Sequence, residues 1–307
     1  MFLELKNLTV GFKTPLINDV STALRLGEIC LLIGNNGVGK TTLIKTLLNQ
    51  NPALQGEVLL ETKNVRTLSN KEIAEHVAVV FSKSQIPANY TLTDLISLGK
   101  YIHYPYYFEL SETDKKHVSQ IIKDLDLEQF EHYPLTKLSD GNLQKAFIGR
   151  ALAQNSPFII LDEPTTHLDE KNKIIILKLL RNLAKKHHKL ILFSSHDWRL
   201  AKEFADKIWL INDGKLEDGI TEEILLKHDD LLNPQLFNFS EGFVAPRIIA
   251  PTLEKEMLYS FLQKNCEKDI SMLTFVFSES FWEVKSADSH YKFSSVGEMT
   301  ELLANPD

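Results

Sequence analysis

The chain has 307 residues, which is long enough for one large α/β domain and a smaller appendage. Of these residues 43% are hydrophobic and 24% charged, a composition typical of a soluble globular protein. Its 41 acidic residues outnumber its 34 basic residues, which gives a formal net charge of −7. This charge argues against a protein whose main partner is nucleic acid, because neutralising phosphates needs a basic face. The two cysteines, Cys30 and Cys266, lack metal-site spacing and fit a reducing, cytoplasmic setting.

Neither a signal peptide nor a membrane-spanning segment is predicted. The first residues, Met-Phe-Leu-Glu-Leu-Lys, lack the charged region, apolar stretch and cleavage site of a secretory signal. Apolar runs such as 29–33 and 189–193 have the length of strands, whereas a spanning helix needs roughly 18 to 20 residues. We therefore expect any link to a membrane to run through a partner.

The first 225 residues alternate strand-like and helix-like segments. Predicted strands cover 3–10, 20–26, 28–33, 77–81, 157–161 and 190–194, and predicted helices cover 41–48, 70–75, 143–154, 170–187 and 198–204. The region 92–133 reads as mainly helical, and Ser111 with Asp114 resembles a capping box. Strands separated by helices of crossover length predict a mostly parallel, wound sheet.

After Gly219 the pattern changes, and a second domain is predicted. Residues 226–235 read as a linker that ends a domain covering 1–225, and 236–307 read as a small α+β appendage. Its predicted elements are strand-like 243–249, helix 253–265, strand-like 273–284 and helix 296–303. Either a regulatory domain or a capping or dimer-stabilising appendage fits this pattern, and we favour the second.

A glycine-rich segment follows an apolar strand and opens an amphipathic helix. It matches the P-loop pattern, in which backbone N–H groups and a helix N-terminus surround a phosphate, whereas a chance glycine-rich turn would not need this order of elements. Lys40 supplies charge for the terminal phosphates, and the Thr41 hydroxyl can ligate Mg²⁺. The segment predicts a nucleoside triphosphate site made by Gly34, Asn35, Asn36, Gly37, Val38, Gly39, Lys40, Thr41 and Thr42.

Residues 158–163 read as a second apolar strand that ends in two carboxylates, Asp162 and Glu163. Asp162 is a candidate Mg²⁺ ligand, because this hard cation prefers oxygen donors and keeps part of its water shell. Glu163 is then placed to orient or deprotonate an attacking water. A solvated acidic turn is the alternative, which the P-loop upstream disfavours.

Three further motifs resemble those of ATP-binding-cassette (ABC) proteins. Leu138-Ser-Asp-Gly-Asn-Leu-Gln-Lys145 is similar to the family's signature and lies 23 residues before Asp162 (162 − 139). The run 165–169 resembles the D-loop, and Ser194-Ser-His196-Asp resembles the switch-histidine region, with His196 lying 34 residues after Asp162 (196 − 162). The resemblance covers about residues 1–225. It implies a P-loop cassette with a RecA-like wound sheet, an antiparallel β subdomain and a helical signature subdomain at about 88–150.

The resemblance also implies roles for single residues. In this family, signature residues cap the ATP held by the P-loop of a second copy, so the chain is expected to form an ATP-sandwich homodimer. His196 would contact the γ-phosphate, and Phe12 would stack on adenine, although a core phenylalanine at a strand end is nearly as good a reading. The implied partner-facing residues are Ser139, Gly141 and Asn142, with Asp169 in the D-loop.

Two departures from the family pattern stand out. Asp140 replaces the first glycine of the signature, which brings a carboxylate toward a triphosphate site unless it points into solvent, as we expect. The glutamine that usually follows the strand at 77–81 is replaced by Ser82, with Gln85 three residues later. Either Ser82 reaches Mg²⁺ through water or Gln85 does so from a looped conformation.

Residues 91–114 resemble the helical region of ATPases that drive iron-siderophore, haem and cobalamin importers. The resemblance implies two polytopic permease subunits, indirectly a substrate-binding protein, and a peripheral position on the cytoplasmic face of the inner membrane. A soluble ABC ATPase acting on nucleic acid or metal-cluster assembly machinery is the alternative. The nearby aromatic cluster fits either a permease interface or internal packing: Tyr101, Tyr104, Tyr106, Tyr107 and Phe108.

Overall fold

The computed structural model describes residues 1–81, 89–104, 109–165, 168–195, 203–228, 243–266, 269–278, 281–286, 289–295 and 298–299. The chain divides into two compact units, Met1–Lys227 and His228–Asp307. None of the helices in the described part of the chain combines the length and apolar composition that crossing a bilayer requires.

The first unit is a mixed α/β structure. Its strands are β1 (Leu3–Gly11), β2 (Pro15–Leu24), β3 (Ile29–Ile33), β4 (Gln55–Leu60), β5 (Lys63–Asn64), β6 (Val77–Val80), β7 (Phe158–Asp162), β8 (Leu190–Ser195), β9 (Lys207–Asn212) and β10 (Lys215–Ile220). Its helices are α1 (Lys40–Leu47), α2 (Asn70–His76), α3 (Leu92–Ser97), α4 (Glu112–Asp124), α5 (Asp140–Gln154), α6 (Glu170–His187) and α7 (Thr221–Lys227).

A six-stranded sheet forms the centre of this unit, in the order β10-β9-β3-β8-β7-β6. Every neighbouring pair is parallel except β9 and β10. Strands β3, β7 and β8 are buried along their whole length, as expected for a parallel sheet covered on both faces. Because parallel strands end at the same edge, the residues that follow β3, β7 and β8 lie side by side.

An antiparallel sheet in the order β2-β1-β4-β5 packs on the same core. Its inward-facing residues, such as Leu5 and Ile17, join one buried cluster with Leu32, Ile160 and Trp209 of the central sheet. The predicted wound sheet and antiparallel subdomain are therefore confirmed.

Several predicted strand and helix boundaries were wrong, and one missed hairpin could have been predicted from its turn residues. Strands β4, β9 and β10 were not predicted, β2 starts at Pro15 instead of residue 20, and α5 starts at Asp140 instead of residue 143. Asp213 and Gly214 both have positive φ, 47° and 71°, and join β9 to β10 in a tight hairpin. An Asp-Gly pair between apolar runs is a strong hairpin signal that could have been used.

Helices α3, α4 and α5 pack closely together in the helical region. A Cβ on Gly149 of α5 would lie 2.9 Å from the Ile96 side chain of α3 and 3.0 Å from the side chain of Leu125, which follows α4, so a larger residue would require these side chains to move. The C-terminal half of α5 is tied to β6 and the end of α2. Gln154 Nε2 donates to Ala74 O and Val77 O at 2.7 and 2.9 Å, and Arg150 donates to Val79 O at 3.4 Å.

A buried polar network joins residues 98–104 to the start of α4. Lys100 Nζ lies 3.0 Å from Asp114 Oδ1 and 2.8 Å from His117 Nδ1, and it is almost fully buried. The Tyr104 hydroxyl donates to Asp114 Oδ2 and accepts the Ser111 N–H, so the predicted capping box at Ser111 is only half formed. The hydrogen bond from Tyr104, followed by that from Lys100, lowers the pKa of Asp114 to about 2.

The members of the aromatic cluster predicted at 101–108 have different surroundings in the structure. Tyr104 uses its hydroxyl inside the helical region, as the packing alternative requires. Tyr101 is 60% exposed, so most of its surface faces solvent. Tyr106, Tyr107 and Phe108 lie outside the described residues.

The second unit is a small α+β structure. Its elements are β11 (Arg247–Ile249), α8 (Thr252–Asn265), β12 (Thr274–Ser278), β13 (Phe281–Lys285) and β14 (His290–Phe293). The sheet order is β11-β12-β13-β14, with β11 parallel to β12 and the other pairs antiparallel. Leu258 and Leu262 of α8 share a core with Phe275 and Trp282. The predicted single segment 273–284 is thus two strands, and most of the predicted helices 198–204 and 296–303 lie outside the described residues.

We predict that Asp114→Asn lowers the free energy of unfolding by about 3 kcal/mol at pH 7, because Lys100 stays buried after losing its anion. Urea denaturation followed by tryptophan fluorescence measures this loss. Since the pKa of Asp114 is lowered in the folded chain, its contribution is complete above the ordinary value of 3.8 and disappears as pH falls through about 2.

Glu112→Gln is the matched control for this prediction. It removes the carboxylate of an exposed pair with Lys115 on the same helix, 2.8 Å apart. Exposed pairs contribute less than about 1 kcal/mol, so this variant should unfold nearly as the unaltered chain does. Equal losses in the two variants would contradict the role assigned to the buried network.

Candidate functional site

The loop between β3 and α1 is shaped by glycine. Gly39 has φ 109°, in the left-handed region that L side chains rarely adopt, and α1 begins at the next residue, Lys40. A Cβ at Gly39 would also lie 3.3 Å from Leu16 Cβ on β2. Because glycine has no side chain to cap α1, the first-turn N–H groups can face a ligand. This arrangement suits an anion, which the positive end of the helix dipole also favours.

Lys40 folds back over this loop. Its ammonium donates to Gly34 O at 2.7 Å and Asn35 O at 3.1 Å. Burial lowers the pKa of Lys40, and the nearby carboxylates of Glu163 and Asp162 partly offset this effect. The ammonium therefore lies within the electrostatic reach of both acids, and its carbonyl partners can be exchanged for phosphate oxygens.

Asp162, the last residue of β7, connects helix α1 to the central sheet. Its Oδ2 accepts a hydrogen bond from Thr41 Oγ1 at 2.8 Å, and its Oδ1 accepts one from Ser194 Oγ at 2.6 Å. The carboxylate is almost fully buried. The sequence predicted Thr41 and Asp162 as ligands of the same cation without showing that they are neighbours. In the structure they are hydrogen-bonded to each other.

The donor set at this point fits Mg²⁺. A hydroxyl and a carboxylate are oxygen donors of the type that this cation prefers, and Mg²⁺ usually takes one or two protein ligands plus waters and substrate phosphates. Within the described ranges, no group of three or more His, Cys, Asp or Glu side chains forms a cage for a metal ion. Thr41 and Asp162 would therefore hold the ion together with the phosphates.

Glu163 follows β7 in a strained conformation. Its φ is 52°, in the left-handed region, which costs a residue with a side chain about 1–2 kcal/mol. Its N–H donates to Ser194 Oγ at 2.9 Å. The half-buried carboxylate is close enough to Lys40 to offset part of the lowering of the Lys40 pKa that burial causes. A carboxylate held beside a phosphate-type loop can orient a water molecule and accept its proton.

Phe12 is 67% exposed, just beyond the end of β1. The alternative of a core phenylalanine is therefore wrong. The turn that carries Phe12 leads into β2, whose Leu16 and Ile17 pack against Gly39 of the loop. An exposed ring on this hairpin is accessible to a planar ligand group, so adenine stacking by Phe12 stays a prediction.

The motif 138–145 contains the start of helix α5. Ser139 is its N-cap, and the Ser139 oxygen accepts the Asn142 N–H at 3.3 Å. The hydroxyl keeps its hydrogen to donate to an anion. Asp140 is the first helical residue and is exposed, and its charge suits the positive end of the helix dipole. Gly141 and Asn142 in the same turn are half-buried.

Other sequence candidates have different outcomes. Asp169 is exposed and caps α6 by accepting the Asn172 N–H at 2.7 Å, a local task that its motif did not indicate. Ser82, Gln85 and His196 lie outside the described residues, so their roles stay predictions. Ser194 was not predicted as a site residue, although two consecutive serines at the end of the apolar run 190–193 were a usable signal.

Residues 17–166 match the sequence pattern of the ABC transporter family. An ABC transporter ATP-binding protein of Methanocaldococcus jannaschii is 35% identical over 246 residues, which cover 78% of this chain and 84% of that protein. A petrobactin import ATP-binding protein of Bacillus anthracis is 32% identical over 230 residues, which cover 73% of this chain and 84% of that protein.

Solved structures give the same fold. An inward-facing metal-chelate type ABC transporter shares 28% identity, with a TM-score of 0.63 over 73% of this chain and 84% of that one. A dimeric bacterial ABC transporter cassette shares 26% identity, with a TM-score of 0.65 over 71% and 98%.

Proposed function

This chain belongs to the family of ABC transporter ATP-binding proteins, and we propose that it hydrolyses ATP to power import of a metal-chelate cargo through separate membrane subunits. The proposal rests mainly on the contact between helix α1 and the acidic end of strand β7. Thr41 and Asp162 are hydrogen-bonded, and Glu163 is the next residue. Phosphate binding, a cation site and a general base therefore occupy one edge of the central sheet.

The proposed chemistry follows from these positions. Backbone N–H groups of the loop and α1 bind the phosphates, and Lys40 exchanges its carbonyl partners for terminal phosphate oxygens. Bound Mg²⁺ would neutralise phosphate charge as the leaving group departs. Glu163 orients the attacking water and accepts its proton. Phe12 stacks on the adenine, and His196 contacts the γ-phosphate.

Two copies of the chain complete two sites. Ser139 presents a hydroxyl hydrogen at the N-terminus of α5, where Gly141 and Asn142 occupy the same first turn. We assign these residues to the ATP of the opposite copy, with Asp169 near the same interface. The dimeric arrangement of a similar cassette supports this pairing.

The import direction and the cargo class rest on similar proteins. The relative from Bacillus anthracis imports petrobactin, and one solved neighbour is a metal-chelate type transporter. The exposed ring of Tyr101 in the helical region suits a permease contact. The proposed complex contains two permease subunits at the cytoplasmic face of the inner membrane and works with a substrate-binding protein.

We predict that Glu163→Gln retains ATP binding, lowers turnover at least about 100-fold and traps an ATP-bound dimer, because the amide cannot accept the proton. Steady-state ATPase assays and size-exclusion chromatography with ATP measure both effects. Lys40→Ala is the contrasting variant and should weaken ATP binding itself. Hydrolysis by Glu163→Gln near the unaltered rate would exclude Glu163 as the base.

A pull-down from native membranes in a gentle detergent tests the transport assignment. We expect a polytopic membrane protein to co-purify in stoichiometric amount, because similar proteins include an ATP-binding protein of petrobactin import and a metal-chelate type ABC transporter. Mass spectrometry identifies the subunits, and a neighbouring substrate-binding protein then indicates the cargo. Recovery of soluble partners or nucleic acid alone would refute the import role and leave the ATPase proposal standing.

We predict that deleting residues 236–307 leaves ATP affinity unchanged, because every proposed nucleotide contact lies in the first compact unit. Fluorescent ATP-analogue titration measures the affinity, and circular dichroism verifies that the truncated protein is folded. A folded truncation with weakened binding would show that the second unit contributes to the nucleotide site.

A further inference from the structure

We propose that Ser194 is a positioning residue that holds the carboxylate of Asp162 and the backbone of Glu163 in fixed relation to each other. The proposal rests on the ATPase function above and assigns a further residue to that reaction. Ser194 itself does not contact ATP or water in this scheme. It acts through Asp162, which would hold the cation, and through Glu163, which orients the attacking water.

The position of Ser194 follows from strand pairing. Strands β7 and β8 are parallel neighbours, and Asp162 and Ser194 are direct register partners at their C-terminal ends. Ser194 is fully buried, with a relative exposure of 0%. A polar side chain at such a place needs hydrogen-bond partners, and the neighbouring strand end supplies them.

The Ser194 hydroxyl acts as donor and acceptor at once. Its single hydrogen goes to Asp162 Oδ1 at 2.6 Å, and its oxygen accepts the Glu163 N–H at 2.9 Å. Thr41 holds the other carboxylate oxygen, Oδ2. Without Ser194, the Asp162 carboxylate would keep one of these two hydrogen bonds and could rotate about its terminal bond.

The bond to Glu163 has a separate consequence. Glu163 has φ 52°, a conformation that persists only when surrounding contacts hold it. The hydrogen bond from its N–H to Ser194 is one such contact, at the residue whose carboxylate must face the attacking water. Losing it leaves a donor without its partner and lets the backbone move away, which displaces the proposed base.

A purely stabilising role would give a different result. In that case, loss of the hydroxyl would lower thermal stability but leave turnover by the folded protein unchanged. A positioning role lowers kcat while ATP affinity stays the same, because the phosphate contacts of the loop and α1 do not involve Ser194. The ratio of the effects on kcat and KM therefore separates the two roles.

Ser194→Ala in the full-length chain tests the proposal. We expect kcat for ATP to fall about 10- to 100-fold, as for small misplacements of catalytic groups, with KM and ATP affinity nearly unchanged. Ser194→Thr keeps the hydroxyl and should retain most of the turnover. In a Glu163→Gln background, Ser194→Ala should cause a smaller further fall than in the unaltered chain, because the effect through the proposed base is already lost and only the effect through Asp162 remains.

Ser156→Ala is the matched control. Ser156 is also buried, and its hydroxyl donates to Ala74 O at 2.8 Å and accepts from Gln154 Nε2 at 3.1 Å. It precedes β7, at the opposite end of that strand from Asp162. This control should lose comparable thermal stability and keep the kcat of the unaltered chain.

The outcomes are separable. An unchanged kcat in Ser194→Ala, a fall equal to that of Ser156→Ala, or a Thr variant as slow as the Ala variant would overturn the positioning role alone. Absence of ATP turnover by the unaltered chain in complex with its membrane partners would overturn the proposed function, and the role of Ser194 with it.

Discussion

The first compact unit is organised around the hydrogen bond between Thr41 and Asp162. It joins the helix that follows the glycine loop to the end of a strand more than a hundred residues later in the chain. The bond can form because β3 and β7, which lead to these two residues, are parallel and each is hydrogen-bonded to β8. The residues proposed for phosphate binding, cation binding and water activation therefore share one edge of the sheet, although the sequence spreads them over two segments, 34–42 and 162–163.

Burying the charged groups Asp162 and Lys40 at this edge costs free energy, which nearby hydrogen bonds and opposite charges offset. Asp162 is almost fully buried, and both its oxygens accept hydrogen bonds, as a buried charge requires. Lys40 is buried as well, and the two carboxylates partly counter the lowering of its pKa. A bound triphosphate would add negative charge here, which Lys40 and a cation can balance.

The sequence predicted the chemistry of the site better than its surroundings. The P-loop segment and the acidic strand end were recognisable because each needs specific residue types at fixed spacing next to a buried strand. Strands β4 and β10 were missed because polar residues interrupt their apolar pattern, as in Lys215–Ile220. Strand β9 has a continuous apolar run, Ile208–Ile211, and was missed although this signal was present. The start of α5 was placed three residues late because Asp140 and Gly141 are weak helix formers, and only the cap at Ser139 shows where the helix begins. The partnership of Ser194 with two acids depends on strand register, which local sequence does not reveal.

Helix α5 is anchored at one end and presents Ser139 at the other. Gln154 and Arg150 fix its C-terminal half to backbone carbonyls of β6 and the end of α2. The helix has 15 residues and is therefore about 22 Å long. A pivot of roughly 10° about the anchored end would carry the N-cap through about 4 Å, a distance comparable to a whole hydrogen bond. Because α3 and α4 pack along α5, a tilt of this size would have to carry these helices with it, and it would be large enough to make or break a hydrogen bond at Ser139.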